Sequence, residues 1–180
     1  KAPFIEPGLF RDRNFAIGLM LIFMVGIILL ATMALLPPFL QSLLEFPALT
    51  TGYVLAPRGI GTMIAMVFIG RVIGRIDSRF LIFFGICMTA LSLYEMSRFN
   101  MDVSIAASVW TGIIQGVGLG FIFVPLSTLT FSTLAAHYRN DGTAMFSLVR
   151  NIGSSIGISI VFTMLSRNTQ INHATLSENL

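Results

Sequence analysis

Residues 15–36 read FAIGLMLIFMVGIILLATMALL and contain no charged side chain. A second uncharged stretch runs from residue 103 to residue 136. An apolar segment of about eighteen or more residues is long enough to cross the ~30 Å hydrocarbon core of a bilayer as a helix. Several such segments in one chain are typical of a polytopic membrane protein, so the sequence predicts an all-α integral membrane fold.

The overall composition agrees with this interpretation. Hydrophobic residues make up 55% of the chain and charged residues 11%, against about 25% charged residues in soluble domains. The formal charge of +3 is small, and we expect no nucleic-acid partner.

Cys87 lies within an apolar run, where we expect its side chain to be buried as a small hydrophobic group. The two histidines lie in polar breaks, so we expect no metal site.

The apolar stretches predict five transmembrane helices, at about residues 15–41, 51–74, 80–99, 104–134 and 144–166. The first could end near Pro37-Pro38 or continue to Gln41 with a kink. The fourth is too short for two crossings, which favours one tilted helix. The chain begins at Lys1 without a signal-peptide pattern and ends in a polar tail from Asn168. We therefore expect residues 1–180 to be part of a longer protein.

The basic residues predict the orientation of the helices. With the amino-terminal segment in the cytoplasm, only Arg98 and Arg167 fall on the outside and Arg58 lies within the second span. The cytoplasmic side then holds Lys1, Arg11, Arg13, Arg71, Arg75, Arg79, Arg139 and Arg150. Such an excess of positive charge is typical of the cytoplasmic side.

The break between the second and third spans contains a recognisable pattern. It reads GRVIGRIDSR over residues 70–79 and resembles the loop motif of major facilitator transporters, G-x-L-a-D-r-x-G-r-k. The residues that carry the resemblance are Gly70, Arg71, Gly74, Arg75, Asp77 and Arg79. The match is degenerate, because Gly74 occupies the position of the aspartate of the motif and Asp77 that of its second glycine. We expect small residues here to let helix ends approach, and the charges to form ion pairs.

Four further segments, taken in order, narrow the resemblance to one family. They are LPPFLQ at 36–41, LAPRGIG at 55–61, QGVGLG at 115–120 with Pro125-Leu126, and RNIGSSIG at 150–157. Together they resemble the second half of the fourteen-span drug:proton antiporters of the EmrB/QacA type. The resemblance covers nearly the whole chain and implies that its five helices are the ninth to thirteenth of fourteen.

The resemblance also implies a function and a cellular setting. It implies a secondary active transporter in the bacterial cytoplasmic (inner) membrane, exporting hydrophobic or cationic compounds. The energy source would be the proton gradient, with no cofactor. An amino-terminal half of the same transporter would complete the protein. Members of the EmrB type also use a periplasmic adaptor and an outer-membrane channel, whereas members of the QacA type do not.

Arg58 is the most informative candidate residue. A charge near the centre of a spanning helix costs at least about 2.5–3.5 kcal/mol on insertion scales. We therefore expect its side chain to face the protein interior or a water-filled cavity, as a residue of the substrate pathway or gate. The alternative is an arginine whose charged end reaches the outer interface.

Three other polar residues are candidates for the substrate pathway: Gln115, Arg150 and Asn151. Arg150 is closer to the cytoplasmic end of its span, so it could reach the interface. Asn151 and Gln115 lie at membrane depth and could contact a substrate. They could equally form hydrogen bonds between helices, worth about 0.6 kcal/mol each.

Glycines recur at four-residue spacing on two predicted helices, at Gly112, Gly116 and Gly120 and again at Gly153 and Gly157. This spacing favours close helix packing over direct contact with a ligand.

The positions of the carboxylates bear on proton coupling. Only Glu95 falls within a span, near its outer end. We therefore expect the proton-binding acid to belong to the amino-terminal half.

No Ser/His, paired-aspartate or metal-ligand constellation lies at membrane depth, so we do not expect an enzyme. A membrane scaffold or receptor without transport activity is the alternative function.

Overall fold

Five long helices form the described part of the protein. The structure, a computed structural model, describes residues 12–100 and 102–178, with side chains as far as residue 170. The long helices are α1 (Arg13–Pro38), α2 (Ala48–Val72), α3 (Ser78–Ser97), α4 (Ile105–Ser132) and α5 (Arg139–Glu178). By length and composition the structure has five helices able to cross a membrane, which confirms the predicted fold class. Lys1 and Arg11 of the predicted charge pattern lie outside the described residues.

The first span continues past its two prolines. Pro37 and Pro38 have no backbone N–H, so the carbonyls of Met33 and Ala34 lose their usual helical partners. A π-helix follows at Phe39–Leu43, and the amide of Leu44 donates to the carbonyl of Phe39 at 3.3 Å. This five-residue spacing widens the last turn. Of the two predicted alternatives, the structure adopts the continuation.

The last helix is longer than the sequence predicts. It contains 40 residues, or about 60 Å at 1.5 Å per residue. The predicted span ends at residue 166, and the sequence predicts no helix for the polar tail beyond it. In the structure α5 runs through residue 178, because residues 167–178 contain neither glycine nor proline to end it.

Helix α4 is the centre of the bundle. It packs against α2 and α3 over most of its length and against α1 over a shorter part, while α1 packs against α5. The larger apolar core joins α1 to α4 and α5 and includes Phe15, Ile22 and Leu126. A smaller apolar cluster at the other end of α1 joins Leu36 and Leu40 to Val54 of α2.

Glycines form close contacts between the helices. A Cβ atom at Gly120 would lie 2.6 Å from that of Ala65 on α2, and one at Gly85 of α3 would lie 2.7 Å from the carbonyl oxygen of Gly118 on α4. On α5, a Cβ atom at Gly157 would lie 2.6 Å from the carbonyl oxygen of Ile27, and Gly153 lies against the backbone of Phe23. Small residues at such contacts let membrane helices approach each other.

Cys87 is exposed on α3, so the expectation that it is buried is wrong. Helix α3 packs mainly on α4, and its other faces form the outer surface of the bundle. Hydropathy alone does not distinguish a lipid-facing position from a buried one, because both environments are apolar.

Candidate functional site

The side chain of Arg58 is buried inside the bundle. It lies ten residues after the start of α2, about 15 Å along the helix axis, and is only 6% exposed. Val54, one turn earlier, belongs to the apolar cluster formed with Leu36 and Leu40. This cluster lies between Arg58 and the loop that precedes α2. The structure therefore places the charge in the protein interior, as expected from its cost in lipid.

Two glycines of α4 make room for Arg58. A Cβ atom at Gly112 would lie 3.7 Å from the Cβ atom of Arg58, while one at Gly116 would overlap the Arg58 carbonyl oxygen. That carbonyl also accepts a hydrogen bond from the hydroxyl of Thr62 at 2.9 Å. The backbone at Arg58 is therefore held directly against α4.

Gln115 lies at the same depth and joins α4 to α1. It is fully buried, and like Arg58 it lies ten residues after the start of its helix. Its Nε2 atom donates to the Oγ1 atom of Thr32 at 3.2 Å, and Thr32 donates in turn to the carbonyl of Ile28 at 2.6 Å. The structure therefore brings Arg58 and Gln115 into the same layer of the bundle, on two helices that pack together.

Three buried side-chain atoms on α2 and α4 have no hydrogen-bond partner among the described residues. They are Nη2 of Arg58, Oγ of Ser108 and Oε1 of Gln115. Buried polar groups in proteins are nearly always hydrogen-bonded, and each exception needs an explanation. The layer is therefore the strongest candidate for a functional site within the described residues.

No carboxylate is buried among the described side chains of residues 12–100 and 102–170. Asp12 is partly exposed, while Glu45, Asp77, Glu95, Asp102 and Asp141 are exposed. Arg58 thus has no acidic partner among the described side chains. A guanidinium group also cannot lose its proton in a protein, so the charge remains.

Arg150 and Asn151 lie elsewhere on α5. Arg150 is partly buried, with its guanidinium carbon 5.8 Å from the centre of the Phe123 ring on α4. Phe123 is eight residues beyond Gln115, or about 12 Å along the axis of α4, so the two arginines occupy different depths. Asn151 is exposed and contributes to a shallow groove along α5 with Ser147 and Ser155. Their predicted role in the substrate pathway stays a prediction.

The segment from Gly70 to Arg79 joins α2 to α3 in a tight turn. The amide of Arg75 donates to the carbonyl of Val72 at 3.0 Å. Ile73 has φ −59° and ψ 129°, and Gly74 has φ +96°. These angles describe a type II turn, whose third residue requires positive φ and therefore favours glycine.

The two glycines of the segment have open surroundings within the described residues, and their expected role in helix approach stays a prediction. No atom lies within 4 Å of a Cβ atom built at Gly70 or Gly74, so neither brings helix ends together within the described residues. Gly74 instead supplies the turn. Asp77 caps α3 by accepting from the Arg79 amide at 3.0 Å, and Arg71 donates to the carbonyl of Val67 at 3.2 Å.

Sequence reasoning missed Ser108 and Thr32. Ser108 is four residues before Gly112, so it lies on the face of α4 that contacts Arg58. That spacing was visible in the sequence and could have identified it. Thr32 carried no comparable signal, because threonine often bonds the carbonyl of its own helix.

A large apolar cavity adjoins this layer, between α1, α3 and α5. Its volume is about 670 Å³, and its walls include Leu35, Phe39, Met96 and Leu165. Thr32 lines one wall of this cavity and also accepts the hydrogen bond from Gln115. Among the described residues it therefore connects the cavity with the polar layer.

The comparisons with known proteins agree with the architecture. The chain matches the Major Facilitator Superfamily over residues 1–158. It is 32% identical to the Multidrug export protein EmrB of Escherichia coli over 179 residues, which are 99% of this chain and 35% of that protein. It is 29% identical to the Fatty acid resistance protein FarB of Neisseria gonorrhoeae, over 100% of this chain and 36% of that protein.

A third relative is less similar in sequence. The Lincomycin resistance protein LmrB of Listeria innocua is 26% identical over 91% of this chain and 35% of its own length. The chain therefore spans about a third of the length of the curated relatives it matches.

Proposed function

The chain belongs to the Major Facilitator Superfamily, and we propose that it is part of a proton-coupled exporter of hydrophobic or cationic compounds. The observation that carries this proposal is the buried Arg58, which has a polar layer around it and no acidic partner among the described residues. Intramembrane charges that face a bundle interior are typical of substrate and ion pathways. A scaffold or receptor without transport activity leaves such a charge unexplained.

In this proposal the five helices form most of one half of the transporter. Substrate sites of such transporters lie near the midplane between two halves that move against each other. The proton-binding acid would come from the other half. The proton gradient would supply the energy, no cofactor would be needed, and the protein would not be an enzyme.

The setting we propose is the bacterial cytoplasmic (inner) membrane. The support is the similarity to EmrB, FarB and LmrB, which are bacterial export or resistance proteins by name. A periplasmic adaptor and an outer-membrane channel are proposed partners by analogy with EmrB-type transporters.

Transport by the full-length protein in liposomes tests the proposal. We expect an imposed pH gradient to drive movement of the hydrophobic cation tetraphenylphosphonium, and a proton ionophore to abolish it. Arg58→Ala should reduce transport of at least some compounds while the amount of inserted protein stays the same. Transport that is insensitive to the gradient would refute proton coupling, and unchanged transport of every compound by the variant would refute the pathway role of Arg58.

The 180-residue chain alone provides a second test. It should insert into a membrane but show no gradient-driven transport above empty liposomes, because the other half and its acid are absent. Robust gradient-dependent transport by this chain would contradict the proposal that the coupling acid lies outside it.

A further inference from the structure

A second cavity lies between the end of α3 and the start of α4, at the opposite end of α3 from the Gly70–Arg79 turn. Its volume is about 460 Å³, which is within the usual range for sites that bind small molecules. Glu95 and Arg98 of α3 and Trp110 of α4 line it together with apolar side chains. The proposed export function does not use this cavity.

The charged residues of the cavity lie near the helix ends, and its apolar walls lie deeper. Glu95 is two residues before the end of α3, and Arg98 directly follows that end. Leu91 is one turn deeper on α3, and Ile114 lies nine residues after the start of α4, about 14 Å along the helix axis. In a bilayer, the charges would therefore lie at the level of the headgroups, and the walls would extend into the hydrocarbon region.

Two aromatic side chains are exposed at this end of the bundle. Trp110 is 64% exposed and Tyr94 is 59% exposed. Tryptophan and tyrosine are enriched where the hydrocarbon core meets water, because their rings are apolar and carry one polar group. Their exposure at this level favours contact with lipid over burial in a protein core.

The two charges of the cavity are available to a ligand. Glu95 and Arg98 are both exposed, and neither forms an ion pair with another described side chain. The guanidinium carbon of Arg98 lies 5.8 Å from the centre of the Tyr94 ring, a contact that leaves its hydrogen-bond donors unused. The cavity therefore offers one partner for an anion and one for a cation.

The balance of charge distinguishes between classes of ligand. Glu95 would attract a simple cation, but Arg98 would repel it. A simple anion would meet the reverse, and Asp102 in the loop after α3 is exposed as well and adds to the repulsion. A ligand that carries both charges and an apolar chain satisfies the carboxylate, the guanidinium group and the walls together.

An aminophospholipid has this combination of groups. Its phosphate diester accepts paired, charge-assisted hydrogen bonds from a guanidinium group. Its primary ammonium group, like that of lysine, donates up to three hydrogen bonds, and a carboxylate accepts them. Its acyl chains occupy the hydrocarbon region beside the apolar walls.

We propose that the cavity between α3 and α4 binds an aminophospholipid, with its phosphate at Arg98, its ammonium group at Glu95 and an acyl chain along Leu91 and Ile114. The site prefers phosphatidylethanolamine to phosphatidylcholine, whose trimethylated ammonium group cannot donate a hydrogen bond. It also prefers phosphatidylethanolamine to phosphatidylglycerol, whose headgroup carries no cation. This inference is independent of the proposed export function.

Quenching of Trp110 fluorescence by brominated lipids measures the preference. Full-length protein is placed in vesicles of dioleoylphosphatidylcholine, and a rising fraction of the lipid is replaced by one with dibrominated chains and an ethanolamine, choline or glycerol headgroup. The difference between the wild type and Trp110→Phe isolates the signal of Trp110. We expect the ethanolamine lipid to bind about threefold more tightly than the other two, the effect of one exposed ion pair.

Variants of the two charged residues assign their roles. Glu95→Gln should bring the ratio of ethanolamine to choline affinity to about one, whereas Glu95→Asp should keep part of the preference. Arg98→Gln should reduce the number of phospholipids of every headgroup that native mass spectrometry finds on the purified protein. Asp141→Asn, which changes an exposed acid near the start of α5, is the matched control and should leave both measurements unchanged.

Four outcomes would overturn the proposal. The first is equal affinity of the wild type for the three lipids, and the second is an ethanolamine preference that Glu95→Gln does not change. The third is an absence of Trp110 quenching, because another protein segment would then cover the cavity. The fourth is displacement of the brominated lipid by tetraphenylphosphonium that becomes stronger in Arg98→Gln, which would assign the cavity to a cation. None of these measurements requires transport, so they stand apart from the test of export.

Discussion

Gly116 lies directly against the backbone of Arg58, so that a Cβ atom at position 116 would overlap the Arg58 carbonyl oxygen. Gly116→Ala should therefore force α2 and α4 apart and lower the stability of the folded protein. Overpacking of a tight interior typically costs about 1–3 kcal/mol, and the better helix propensity of alanine, worth about 1 kcal/mol, offsets part of it.

Thermal unfolding of the full-length protein in detergent measures this effect. Gly59→Ala is the matched control, because no atom lies within 4 Å of a Cβ atom at that position of α2. We expect a lower Tm for Gly116→Ala and an unchanged or higher Tm for Gly59→Ala. Equal Tm values for the two variants would contradict the close contact.

Gly74 is the residue of the α2–α3 turn that needs positive φ. Gly74→Ala should destabilise this turn by about 1 kcal/mol, because an L-residue with a Cβ atom is strained in the left-handed region. Gly74→Asn should cost less, since asparagine tolerates that region. Tm values that rank asparagine below alanine would argue against the type II turn, and Gly70→Ala, at an open helical position, serves as the control.

Asp12 links the start of α1 to the end of α4. The hydrogen bond from Thr133 is the main cause of the lowered pKa of the Asp12 carboxyl group, and the amides of Phe15 and Asn14 also lower it, while burial acts in the opposite direction. The ionised form therefore stabilises the fold above the ordinary aspartate pKa of about 3.9. That contribution is lost as the pH falls through this value to the lower pKa of the folded state.

Thr133→Val removes the donor and tests this linkage. We expect the variant to have a lower Tm than the wild type at neutral pH, and the difference to shrink as the pH falls below about 4. Thr128→Val is the control, because the Thr128 hydroxyl donates only to the carbonyl of Val124 in its own helix, at 2.9 Å. A Tm difference that stays constant with pH would contradict a role for the ionised carboxylate.

The positive charges predict that the turn from Gly70 to Arg79 lies in the cytoplasm. In a Cys87→Ser background, Ser78→Cys should react with an impermeant maleimide only after the cells are opened. Asn100→Cys, in the exposed loop at the other end of α3, should react in intact cells. The reverse pattern of labelling would overturn the assigned orientation.

The sequence predicts the number and type of the helices because an apolar stretch of membrane-spanning length has few other solutions. It does not decide how α1 passes Pro37-Pro38, since the loss of two amide donors is compatible with a helix end and with a π-helix. Hydropathy marks only the apolar span, so the sequence predicts a shorter α5 than the structure has. Helix ends are marked by glycine and proline, and residues 167–178 contain neither.

The same contrast holds for the candidate site. The burial of Arg58 follows from the cost of its charge in lipid. The participation of Thr32 depends on how α1 is placed beside α4, which no local pattern specifies. The role of Gly74 in the turn depends on the backbone angles of four residues, which the family motif does not specify.

The contact between Gly116 and Arg58 also limits which substitutions evolution can accept at this helix contact. Because the backbone of α2 is fixed against α4 at this point, most single substitutions at position 116 would be eliminated by their effect on folding before any effect on transport could be selected. Tolerated variation is then expected at polar side chains that do not fix this helix contact, such as Ser108 and Thr32. If the proposed export function holds, variants with altered specificity should accumulate there, while the glycine itself stays unchanged.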